Sequence, residues 1–194
     1  MTKATLDRAR YPGLVALIAL LVALGGFASS SSARPAQPTK QRNDCPSTGP
    51  QGVSSNPWSK AHHSMAPTGA HVIFLCRYDG LNSHPPLSLV EDRSIVGART
   101  KRRLISAFDA LRALRGVPPP FCPADNGSEI VAVLVYKGGQ KVEIATRLRG
   151  CQPVTNGDIN RLAANIGGKN PAGPRLIALL KRLIPRPRPV PNGY

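Results

Sequence analysis

From Glu129 to Leu148 an apolar run, the pair Gly138-Gly139 and a second, alternating run read as a β-hairpin, because a two-residue glycine turn between strand-like segments is the short-range signature of that motif. Pairing Lys137 with Gln140 sets Val135 opposite Val142, Val133 opposite Ile144 and Val131 opposite Thr146, which makes one face almost wholly apolar. The other face, Tyr136, Leu134, Ala132 and Ile130 against Lys141, Glu143, Ala145 and Arg147, is mixed. A slip of one residue would destroy that segregation, so this register is the one expected. Upstream, residues 71–78 predict a further strand in which Val72, Phe74 and Cys76 alternate with Ile73, Leu75 and Arg77. Asp79-Gly80 ends it and Pro85-Pro86 breaks the chain.

Helical periodicity follows over 99–114, where Leu104, Phe108 and Leu111 fall at i, i+4 and i+7 and Ile105 and Leu114 widen the stripe; Gly116 and Pro118 to Pro120 stop it. After Cys151, Thr155 or Asn156 is a candidate cap for a short helix containing Ile159, Leu162 and Ile166, ended by Gly167-Gly168. A last helix starts near Pro174 and repeats Leu176, Leu179, Leu180 and Leu183 before Pro185. These elements predict an α+β fold: a small antiparallel sheet, the 129–148 hairpin plus strand 71–78, packed by two or three helices.

The N-terminal pattern is different. A basic stretch (Lys3, Arg8, Arg10), an apolar run from Gly13 to Ala28 and a serine cluster read as a secretory signal peptide over 1–33. The run is shorter than the roughly 20 residues a spanning helix needs; an uncleaved membrane anchor is the alternative. Residues 34–68 are rich in Pro and Ser and poor in large apolar side chains, which predicts an irregular segment. A single domain over 69–185 and a Pro/Arg tail over 186–194 complete the organisation.

Export permits disulfides, and Cys45, Cys76, Cys122 and Cys151 then read as two bridges. Extending the hairpin register carries Cys151 close to Cys122, and the turn formers Pro123, Asp125, Asn126 and Gly127 can fold the chain across the gap. Cys122 to Cys151 is therefore the expected bridge, leaving Cys45 to Cys76. Each closure should stabilise the fold by about 3 kcal/mol in the chain-entropy account. No zinc-type cysteine spacing is present, and His62, His63, His71 and His84 lack a matching carboxylate pattern, so they read as solvated loop histidines. No cofactor is expected.

Charge adds the first functional indication. The chain carries 26 Lys and Arg against 10 Asp and Glu, a net +16, and loss of residues 1–33 would barely reduce that excess. Such a balance favours anionic partners: an envelope polymer, an acidic protein or a membrane surface. Arg99, Lys101, Arg102 and Arg103 cluster on the first helix and Arg175, Lys181 and Arg182 on the last, making these seven the candidate anion-binding residues. The last helix is also similar to a basic interfacial segment, although core packing explains its apolar stripe more simply. Nucleic acid is poorly supported, since aromatics are scarce and no recognition motif occurs.

The motifs "LCRYDGLN", "CPADNG" and "GCQPVTNG" resemble those of a family of uncharacterised secreted proteins from high-GC Gram-positive bacteria, over roughly 45–156. That resemblance implies export and no particular function. The order of a cysteine-bearing strand, a helix and a cysteine-bounded hairpin is also similar to that of secreted subtilisin-inhibitor-type proteins. By that similarity Pro123, Ala124 and Asp125 would form an inhibitory loop facing an extracellular protease. Two departures accompany it: the loop offers no large apolar or basic residue, and the expected partner of Cys76 lies upstream.

Catalysis requires a nucleophile beside a base, or two carboxylates in contrasting environments. Asp125 and Glu129 at the hairpin mouth and His71 are the only candidates for a hydrolytic site, and the histidines have no suggestive Ser or Cys partner. The expectation is thus a secreted or envelope-associated, non-catalytic, disulfide-stapled basic domain that binds an anionic partner, with protease inhibition as the alternative and hydrolysis as a third reading.

Overall fold

Both faces of the central strands are apolar, and the architecture follows from the need to cover both. The computed structural model describes residues 44–50, 52–113, 122–165 and 170–187. In chain order these form β1 (Val72–Tyr78), β2 (Leu89–Ile95), α1 (Ala98–Asp109), β3 (Glu129–Val135), β4 (Lys141–Arg147), β5 (Pro153–Thr155), β6 (Asn160–Leu162) and α2 (Ala172–Leu183). The strands make one six-stranded antiparallel sheet in the order β2-β1-β3-β4-β5-β6. The expected strand and hairpin lie at its centre, so the α+β class holds with a larger sheet than the sequence predicts. The expected signal peptide over 1–33, Leu114 and the stop signals after it, Ile166 to Gly168 and the tail beyond residue 187 lie outside the described residues.

On one face Ile73, Leu75, Ile130, Leu134, Val142 and Ile144 pack against Leu104 and Phe108 of α1 and Leu176 and Leu180 of α2. This is the main core, and it accounts for the apolar stripe of α2. On the other face Phe74, Cys76, Tyr78, Val131, Val133 and Ala145 form a thinner layer covered in part by Cys45 and Val53. Cys45 is bridged to Cys76 with Cα atoms 5.5 Å apart, and the Tyr78 hydroxyl donates to Pro46 O at 3.0 Å. The segment 52–68 has a single 3-10 turn, Ser59–His62, yet it buries Ala61, Met65 and Ala66 in the main core. The second bridge joins Cys122 and Cys151 as expected, with Cα atoms 5.0 Å apart.

The hairpin register corrects the sequence reading. Leu134 faces Val142, Ala132 faces Ile144 and Ile130 faces Thr146, one residue away from the expected pairing. The turn has three residues, Lys137, Gly138 and Gly139, closed by Tyr136 N–H donating to Gln140 O at 2.9 Å. Both glycines have positive φ, 91° and 83°. Because β3 is buried on both sides, its own pattern cannot choose a register; β4, buried through Val142 and Ile144 and exposed through Lys141 and Glu143, decides it.

The expected helix after Cys151 is instead the β5–β6 hairpin. Asn156 is fully buried, its Nδ2 donating to the carbonyls of Ala61, Ser64 and Met65 and its Oδ1 accepting from the amides of Asp158 and Ile159. Gly157 has φ 92°, and a Cβ there would lie 2.1 Å from Ser54 O. That conformation excludes a helix and suits an Asn-Gly turn. Strand β2 went unforeseen because Glu91, Asp92 and Arg93 interrupt its apolar character; at a sheet edge such charges hinder pairing with another chain. α1 ends at Asp109, short of the expected 114, while α2 begins at Ala172, two residues before Pro174.

Candidate anion-binding surface

Neither helix is capped in a way that offsets positive charge near its start. α1 has no acidic residue in its first turn and no side-chain N-cap, yet Arg99 and Lys101 sit there, where the helix dipole disfavours cations. α2 likewise has no acid in its first turn. The only acid on α1, Asp109, is engaged at the far end, accepting from Ser64 Oγ at 3.0 Å and from the Ala66 amide.

Helical spacing puts Arg103, Ala107 and Ala110 of α1 and its neighbour on one face, and Arg175, Ala178, Leu179 and Arg182 on one face of α2. Between these faces lies a groove of about 610 Å³. Its floor is apolar because alanines leave the space between the helices unfilled, with Ala107 and Ala172 packing on the core below. Arg103, Arg175 and Arg182 border it, all three exposed. Among the described residues none of the seven candidate cations forms an ion pair; the pairs present are His62–Asp158, Lys141–Asp44, Arg147–Glu129 and Arg186–Asp79.

The other four candidates are placed differently. Lys101 is half-buried and its Nζ donates to His71 O, a tie between α1 and the start of β1. Arg99 and Arg102 are exposed outside the groove lining. Lys181 turns to a second, polar pocket of about 260 Å³ with Arg77, Arg149 and Arg186. These three arginines come from β1, the loop after β4 and the chain after α2, so no local spacing in the sequence could have joined them.

Comparison with known proteins yields no relative. No family model, no curated protein and no solved structure matches the chain.

The residues of the two alternative readings are also located. Pro123, Ala124 and Asp125 are exposed and lie beside Gly150, where a Cβ would meet Asp125 Cβ at 3.0 Å and Pro123 O at 3.2 Å. Asp125 Oδ1 accepts from the Gly127 amide at 2.9 Å, which fixes the loop. For hydrolysis, His71 precedes the Val72–Val135 end of the β1–β3 ladder, whereas Glu129 pairs with Tyr78 at the other end. At about 3.3 Å per residue they stand roughly 20 Å apart, so the structure does not bring them together.

Glu129 is a buried acid whose pKa is strongly raised. It is 2% exposed, its Oε2 lies 3.4 Å from Arg147 Nε, and its Oε1 has no hydrogen-bond partner among the described residues. Burial pushes its carboxyl up to about 7, Arg147 pulls it back and Asp125 adds to the rise. No described helix is long and apolar enough to cross a membrane, and the two bridges indicate an oxidising environment.

Proposed function

We propose that the protein is an exported binding domain that attaches to anionic polymers or acidic lipid surfaces of the cell envelope through the groove between α1 and α2. One observation carries the reading: Arg103, Arg175 and Arg182 converge on an apolar-floored groove with no carboxylate among its lining residues. Arginine forks pair with phosphate and carboxylate oxygens bidentately, and an apolar floor adds contact for the carbon skeleton of the same ligand. A surface of this kind binds a charged lattice by many weak, screened contacts, so affinity should fall steeply as salt rises. Retention of the oxidised protein on phosphatidylglycerol vesicles, against phosphatidylcholine vesicles, tests this over a salt series. Loss of retention between roughly 50 and 500 mM salt supports the reading; equal retention on both vesicles, or none on either, refutes it.

A second reading, protease inhibition, is favoured by one observation: the exposed Pro123 to Asp125 loop is anchored by a bridge at Cys122 and by its own turn hydrogen bond. Rigid, exposed loops are what proteases accept as slowly released substrates. Titration into a panel of serine proteases, with intact mass followed in parallel, decides it: stoichiometric inhibition with any cut confined to 123–125 supports it, and full residual activity removes it.

A further inference from the structure

The second pocket differs from the helix groove in position and in chemistry. It lies where the end of β1, the chain after β4 and the C-terminal part of α2 meet, and its lining is polar. Arg77 forms its base: the residue is 9% exposed, and its Nη1 donates to Ile184 O at 3.0 Å just beyond α2. The walls are set by close backbone approaches. Leu81 N–H donates to Asn126 O at 2.7 Å, Ser83 Oγ donates to Gly80 O at 2.6 Å, and a Cβ at Gly80 would lie 2.2 Å from Asn126 O. Hydroxyls of Ser83 and Ser128 and the amide of Asn126 thus border a preformed cavity.

Four cations meet one carboxylate here. The α2 terminus explains Arg77, and Asp79 explains Arg186, at 3.2 Å. The side chains of Arg149 and Lys181 form no ion pair among the described residues, the pairs present being His62–Asp158, Lys141–Asp44, Arg147–Glu129 and Arg186–Asp79. Burial first, and then the Arg186 guanidinium, depress the basicity of Arg77, with Asp79 opposing. Four cations less one carboxylate leave a net charge of +3 on the lining, enough to balance a phosphate dianion. A phosphate monoester carries about −1.5 to −2 at neutral pH and three acceptor oxygens, and the cavity lies below the ~300 Å³ at which drug-sized ligands begin.

We propose that this pocket is a phosphate-monoester site, with Arg77 at its base and Arg149 and Lys181 closing on the phosphate from solvent. The site would take a compact headgroup, a phosphate on a small polar carbon skeleton, and it does not depend on the helix groove.

The test is calorimetric titration of the oxidised protein with glycerol 3-phosphate, ionic strength being held constant with sodium chloride. Saturable one-to-one binding is expected, weakened about tenfold or more in the double variant Arg149→Gln/Lys181→Gln. Both side chains are exposed, so the variant should fold normally. The triple groove variant Arg103→Gln/Arg175→Gln/Arg182→Gln should bind glycerol 3-phosphate like the parent. Absence of saturable binding, an unchanged affinity in the double variant, or an equal loss in both variants would overturn the assignment. The groove and the pocket share no lining residue, so either proposal can fail alone.

Discussion

Glu129 is a carboxyl buried beside Arg147 with one oxygen lacking a donor, and a sheet that places it there becomes pH-sensitive. Below its ordinary value of 4.5 the group is protonated in both folded and unfolded chains. Between that value and about 7 the folded chain keeps a proton that the unfolded chain has released, so stability falls as pH rises through this window and levels off above it. The decline should be on the order of 3 kcal/mol. Glu129→Gln, which supplies a neutral group of the same shape, should flatten the profile and raise the melting temperature at pH 8. A parent protein with equal stability at pH 5 and pH 8 would contradict this account of the site. The sequence singled out Glu129 only as a hairpin-mouth acid beside Asp125; its raised pKa comes first from burial, which tertiary packing sets, with Arg147 on the paired strand opposing it and Asp125 adding to it.

Among the elements, α2 shows how closely helix and sheet are fitted. A Cβ on Gly173 would lie 1.8 Å from Ala163 O, so the first turn of α2 rests directly on the chain after β6. Gly173→Ala should therefore destabilise by about 1–3 kcal/mol, despite alanine's better helix propensity. Gly52→Ala, where a Cβ meets nothing within 4 Å, should be nearly neutral in the same thermal melt. The elements most legible in the sequence were those with one buried face or a strong stop: β1, the β3–β4 hairpin as a hairpin, and both helices. The β3–β4 register was misread because β3 is covered on both sides, and β2 was missed because an edge strand carries charges. The β5–β6 hairpin was misread as a helix because Ile159 and Leu162 happen to fall three apart, whereas Asn156-Gly157 held the better signal. Of the site, the basic character of both helices was legible; which arginines converge was not, since Arg103 and Arg175 meet only through packing of α1 against α2.

For the molecule as a whole, two bridges fasten a thin second layer and the mouth of a hairpin onto the central sheet. Replacing Cys122 and Cys151 by serine, which opens a closure of 29 residues in sequence separation, should lower stability by about 3–4 kcal/mol in a denaturant titration. Charge is distributed unevenly over this frame: the described acids are mostly engaged, at Asp44, Asp79, Asp109, Glu129 and Asp158, while the arginines around the helix groove are not. The central claim is that this groove, rather than net charge alone, binds anionic surfaces. It is tested most directly by comparing the parent with Arg103→Gln/Arg175→Gln/Arg182→Gln on phosphatidylglycerol vesicles, alongside a control in which Arg99, Arg102 and Arg112, exposed outside the groove lining, are changed to glutamine. Exposed ion pairs contribute about 0.2–1 kcal/mol each, so loss of the three groove arginines should weaken binding roughly tenfold. The account predicts that weakening for the groove variant and a clearly smaller one for the control; equal losses in the two would contradict it.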